Sequence, residues 1–198
     1  MKTLANTLGV ILALSLCPSS WAEYAISASE LKLMPSFCKG LSPPNFQADA
    51  KHLRRQVHVP GQHTQHFCHG MKALVRADRA ELKKKGGGRP LYNTAILEFE
   101  YVQSHSEKMH ALIPSCSLYK AVAFSGLNNT SEALKSYNKA ISLKRKYPKA
   151  YAKLADYYIK LNQQQSALNT VKTGLKYSPK SKSLLRRLKK YTNGGNTP

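Results

Sequence analysis

An all-α fold of stacked helical hairpins is predicted by three observations. Residues 114–191 repeat nearly the same pattern at a spacing of 34 residues. Inside each copy the apolar positions step by three and four, the period of one helix face. Polar turns and prolines punctuate those steps. A fixed period of this size marks a stacked architecture, in which each unit buries its apolar stripe only against a neighbour.

In order, Ala121, Phe124, Leu127, Asn128, Ala133, Leu134, Tyr137, Ala140 and Ile141 recur as Ala155, Tyr158, Leu161, Asn162, Ala167, Leu168, Val171, Gly174 and Leu175. Each copy holds two helical sets. Ala121, Phe124 and Leu127, or Tyr151, Leu154, Ala155, Tyr158 and Leu161, form the first. Ala133, Leu134, Tyr137, Ala140 and Ile141, or Ala167, Leu168, Val171 and Leu175, form the second. Asn128-Asn129-Thr130 and Asn162-Gln163-Gln164 are the turns between them, and Asn129 with Glu132 has the form of a capping box. Pro148 and Pro179 end the second helices. The small residues Ala121, Ala133, Ala155 and Ala167 allow close approach of the paired helices.

Tyr151-x-x-Leu154-Ala155-x-x-Tyr158, then Ala167-x-x-x-Val171, then Pro179 resembles the tetratricopeptide repeat, with Tyr for Trp, Ala for Gly and Val for Phe. The first copy is further from the pattern, with Ser117 and Lys120 where Tyr151 and Leu154 stand in the second. A partial third copy opens at Lys182 and places Leu185 and Leu188 in the core positions, which reads as a solvated cap. The resemblance implies a right-handed α-α superhelix whose first helices line a concave groove. The expected organisation is repeats at 114–147 and 148–181, a capping helix at 182–192 and a flexible tail at 193–198.

Residues 1–22 have the form of a secretory signal peptide: Lys2, an apolar core from Leu8 to Leu16, then Ser20-Trp21-Ala22 as a small-x-small cleavage site. That run is too short to span a membrane, which takes about 20 residues. A soluble periplasmic or secreted mature chain is expected. Segment 23–60 is irregular, with a short helix expected within Ala25–Met34. In an oxidising compartment Cys38 and Cys68 are expected to pair, leaving Cys116 over, although three thiols do not fix their own connectivity. Residues 61–113 read as a divergent hairpin. Phe67, Met71, Leu74, Val75 and Leu82 share one face of its first helix, Gly86-Gly87-Gly88 ends it, and Pro90 opens a second helix burying Tyr92, Ala95, Ile96, Phe99 and Val102. Exported bacterial repeat proteins are similar in this whole arrangement, and the similarity carries no activity with it.

Charge is unevenly placed. Residues 23–110 carry 13 basic and 8 acidic side chains, whereas residues 111–198 carry 17 basic and 2 acidic, Glu132 and Asp156. Lys149, Lys153, Asp156 and Lys160 fall on the outward face of one first helix, and Arg186, Arg187 and Lys190 do the same on the cap. Such a surface favours an acidic peptide segment, a carboxylate or an anionic glycan. Each lysine alone reads as a solvated face, but the excess over the repeat half exceeds the net charge of about 2–8 that solubility asks of a small domain. The carboxylate clamp known in the family does not transfer intact. Leu118 and Val122 stand where a clamp presents a basic residue and an Asn, and only Lys153 and Arg187 sit in comparable places.

His63, His66 and His69 recur every three residues beside Cys68, a spacing at which neighbours share a helix face and a metal ion is one reading. The other is a polar helix start with Cys68 in a disulfide. No supporting ligand appears at suitable spacing, so no metal or cofactor is assigned. Nucleophilic and phosphate-binding motifs are absent, since Gly86-Gly87-Gly88 lacks the following Lys-Ser/Thr. The expected function is non-enzymatic: an adaptor whose basic groove holds part of another envelope protein. The competing expectation is binding of an anionic polymer such as acidic polysaccharide or lipopolysaccharide. Export and the lack of aromatic-interleaved basic motifs argue against nucleic acid.

Overall fold

The computed structural model describes residues 26–41, 63–107 and 110–193. The expected signal peptide at 1–22, residues 42–62 of the front segment and tail residues 194–198 lie outside them. Among the described residues there are eight α-helices and no strand. They are α1 (Ala28–Leu31), α2 (Thr64–Lys83), α3 (Arg89–His105), α4 (Ile113–Gly126), α5 (Thr130–Leu143), α6 (Pro148–Lys160), α7 (Gln164–Tyr177) and α8 (Lys182–Asn193), with a 3-10 turn at Ser36–Leu41. From α2 onward the helices pack as sequential antiparallel pairs, α2/α3, α4/α5 and α6/α7, with α8 laid over the last. None of the described helices is long and apolar enough to cross a membrane.

The front is stapled as well as packed. Ser27 caps α1 by accepting from the Glu30 N–H, while the Glu30 carboxylate accepts from the Ser27 N–H at 2.7 Å, a full capping box. The helix expected within Ala25–Met34 is therefore only Ala28–Leu31. Glu30 also accepts from Arg76 Nε of α2 at 2.6 Å. Cys38 is joined to Cys68 of α2, with a Cα–Cα distance of 5.5 Å. Cys116 is free and buried, and burial pushes its thiol up to about 12.

Between α2 and α3 the approach is close. A Cβ built on Gly70 would stand 2.7 Å from Phe99 Cε1, so Gly70 makes room for that ring. Phe67, Met71, Leu74 and Val75 are buried as their spacing predicts, but Leu82 is 89% exposed. Leu82 stays on the stripe, in the last turn of α2. The Glu81 carboxylate holds the glycine turn by accepting from the Gly86 and Gly88 N–H groups at 2.9 and 3.2 Å.

The repeated Leu-Asn pair has a backbone cause. Asn128 and Asn162 adopt φ of 59° and 58°, the left-handed conformation that ends a helix. Asn129 N–H then donates to the Phe124 carbonyl at 2.9 Å, and Gln163 N–H to the Tyr158 carbonyl at 2.8 Å. Asn129 caps α5 through the Glu132 N–H, but the Glu132 carboxylate pairs with Lys135, so the expected box is half formed. In α8 the register differs from the expected copy: Leu184 is fully buried and Leu185 is 46% exposed. Leu184, rather than Leu185, takes the place against Gly174 and Tyr151. Three core clusters follow one another along the stack. Val122 and Phe124 pack against the first two, Ile141 and Tyr158 against the last two, so the core is continuous.

Candidate functional site

The first helices α2, α4 and α6, with α8, present one face, and two depressions lie along it. The C-terminal one, of about 580 Å³, is lined by Lys149, Lys153, Arg186 and Arg187 together with Tyr147 and Ser183. Pro148 opens α6 and sets the phase that turns Lys149 and Lys153, one helical turn apart, to this side. Arg186 and Arg187 come from α8, whose rotation is fixed by Leu184 in the core. Lys149, Lys153 and Arg186 are exposed.

Of the seven residues marked by the sequence, four therefore surround one depression. Lys160 sits at the far end of α6 with its ammonium 3.4 Å from the Ser125 carbonyl, and neither it nor Lys190 lines the depression. Asp156 plays another part. Arg187 donates from Nε and Nη2 to its two carboxylate oxygens at 2.8 and 2.6 Å, and the Tyr191 hydroxyl donates to the same group. Burial works to raise the Asp156 carboxyl, but the bonds from Arg187 and Tyr191 outweigh it and hold the group below its ordinary range. Asp156 fastens the cap and is not a ligand-facing charge, and it occupies the hydrogen-bonding edge of Arg187. Among the described residues Lys153 and Arg186 are the cations of the depression without a hydrogen-bonded tie of this kind, since Lys149 donates to the Tyr119 hydroxyl and lies 5.1 Å over that ring.

The second depression, of about 380 Å³, shares Lys149 and Lys153 with the first and continues toward α2. Its lining includes Leu33, Met71, Leu74, Leu82, Tyr119 and Val122. Sequence reasoning missed this half. Leu118, singled out on α4, is fully buried in the second core cluster, and its neighbour Tyr119 turns to the groove instead. Burial pushes the Tyr119 hydroxyl up to about 12, so it remains a neutral partner for Lys149. Leu33 carried no periodic signal; its place is set by the disulfide and Glu30.

Elsewhere, His66 Nδ1 lies 2.7 Å from Glu98 Oε2 and its ring stacks on Tyr101 at 3.9 Å. His69 Nδ1 is 4.0 Å from the other Glu98 oxygen. Glu98 comes from α3 at a separation of 32 residues, which local spacing could not reveal. Cys68, being in a disulfide, has no thiolate to offer a metal. Among the described residues no group of three or more His, Cys, Asp or Glu side chains converges on a metal position.

Comparison with known proteins agrees with the architecture. Residues 120–147 and 148–181 each match the family model described as tetratricopeptide repeat. The chain is also similar to a Plasmodium falciparum protein named Hsp70-Hsp90 organising protein, 32% identical over 124 residues, which cover 61% of this chain and 48% of that protein. A protein of the same name from Plasmodium falciparum isolate 3D7 is 32% identical over 124 residues, 21% of its own length. The aligned stretch thus spans about half or less of these relatives. Helix pairs, period and family match converge on residues 120–181, which are similar to tetratricopeptide repeats in sequence and are built as two stacked helical hairpins.

Proposed function

We propose that this protein is an exported, non-enzymatic adaptor that holds an acidic peptide segment of an envelope protein along its first-helix face. The observation that carries the reading is the convergence of Lys149, Lys153, Arg186 and Arg187 on one depression, in a half of the chain with only two acidic residues. One of those two, Asp156, spends both carboxylate oxygens on Arg187 of the cap. Lysine and arginine donors around a trough select carboxylates, while backbone and side-chain shape select the sequence. Similarity to proteins named for organising Hsp70 and Hsp90 supports an adaptor role, though the identity of their clients does not transfer to this groove. Export, into the periplasm or medium, rests on Lys2, the Leu8–Leu16 run and Ser20-Trp21-Ala22.

Photo-crosslinking in intact cells, with the probe placed at Lys153, tests the reading. A discrete protein adduct that survives physiological salt supports an adaptor. A smear of polysaccharide or lipopolysaccharide that disperses as salt rises contradicts it and favours the anionic-polymer reading.

A further inference from the structure

We infer that the groove carries a second, apolar subsite which takes a bulky aliphatic side chain of the same acidic segment, and that the disulfide-fixed front of the chain builds its wall. This rests on the adaptor reading above and adds to it the chemistry of the ligand's other end. The depression beside α2 is floored by Met71, Leu74 and Val122, and its rim holds Leu33 and Leu82, 62% and 89% exposed. Leu82 is the most exposed large apolar residue among those described, and Leu33, far from it in sequence, faces the same depression. The polar groups at this end are already engaged. Asp78 accepts from the Tyr92 hydroxyl at 2.8 Å, and Arg79 lies 3.9 Å from the Glu30 carboxylate.

What should fill it follows from continuity. Lys149 and Lys153 wall both depressions, so a chain leaving the apolar one runs directly between cations. A cationic segment is repelled there, and a purely apolar one leaves those ammonium groups facing it. Neighbouring helix axes stand about 8–10 Å apart. Two such steps, from α2 to α4 and from α4 to α6, lead from the apolar floor at Met71 and Leu74 to Lys153, a span of about five residues of extended chain. The ligand is therefore an acidic stretch with a Leu-, Ile- or Met-like residue about five positions from it. Leu33 lies between Glu30, bound to Arg76, and Cys38, bound to Cys68, so the wall stands only while the front is fastened.

Two fluorescent peptides test this by anisotropy at physiological salt. Both carry four consecutive acidic residues; one has leucine five positions away on either side, the other alanine there. Burying one leucine side chain is expected to tighten binding about tenfold or more over alanine. Leu33→Ser with Leu82→Ser, both exposed and so tolerated by the fold, should erase that gain while leaving the alanine peptide's affinity unchanged. Cys38→Ser with Cys68→Ser should erase it as well. Equal binding of the two peptides by the wild-type protein overturns the subsite and leaves the adaptor reading standing. Failure of both to bind overturns the two together. If the serine variants instead abolish self-association in sedimentation, a second copy covers the patch and the inference falls. A leucine gain that appears only after residues 42–62 are removed assigns the patch to the chain's own segment, with the same consequence.

Discussion

In the repeats from α4 to α7, small residues and apolar stripes join each helix to the next, whereas the segment ahead of α2 is held by a disulfide and a buried carboxylate bound to arginine. The repeats place Ala121, Ala133, Ala140 and Ala155 at full burial, so their geometry is built into a pattern that recurs. Among the described residues of the front, Ile26, Met34 and Cys38 are buried and apolar, with Leu31 and Phe37 partly buried beside them, a small core to set against the chain entropy of an irregular segment. Covalent and ionic fastening supplements that small core. The comparison separates two ways of building one binding face: a repeating half that supplies charge, and a stapled half that supplies an apolar wall.

Several substitutions break or sharpen that contrast. Largest should be Phe99→Ala, which empties the fully buried place against Gly70 and Phe67 and is expected to cost about 3–5 kcal/mol in denaturant unfolding. Next comes Cys38→Ser with Cys68→Ser, expected to remove about 3–4 kcal/mol on the chain-entropy model. Hydrogen exchange should show the loss concentrated in residues 26–41 with α4–α8 still protected; equal loss throughout would break the contrast.

Acid should then loosen the front before the repeats. Burial alone would raise the Glu30 carboxyl, but the bonds from Arg76 and Ser27 bring it down to about 2. A carboxyl lowered in the folded state adds stability above its unfolded value of about 4.3 and loses it as pH falls toward 2. Exchange at residues 27–34 should therefore speed up across that window, and Glu30→Gln should flatten the change. Smallest is Asn162→Ala, at about 1 kcal/mol, because alanine resists the left-handed backbone at φ 58°. Asn162→Gly should be close to neutral, and thermal melts compare the two.

How much of this was legible in the sequence follows the same division. The 34-residue period predicted the α4–α7 pairs because burial there is periodic, and the recurring Asn128 and Asn162 are the residues that end the first helices. Cys38 and Cys68 were singled out for their compartment chemistry, and the disulfide joins them. The cap register failed at Leu185 because α8 is docked with Leu184 in the place against Gly174 and Tyr151. Asp156 was marked as a groove charge because its helical phase matches Lys149 and Lys153; only the cap brings Arg187 and Tyr191 to it. The apolar end of the groove was illegible, since Leu33 and Leu82 are far apart in sequence and neither is buried. Ser27 and Glu30 did carry a capping signature, overlooked because it preceded only one turn of helix.

The claim that the first-helix face binds acidic segments through Lys153 and Arg186 is tested most directly by charge reversal. Lys153→Glu with Arg186→Glu, both exposed, should leave the helical circular dichroism unchanged. At physiological salt, calorimetric titration should show the acidic peptide losing at least tenfold in affinity while a lysine-substituted version of it gains. Unchanged affinity for the acidic peptide in that double variant would contradict the claim.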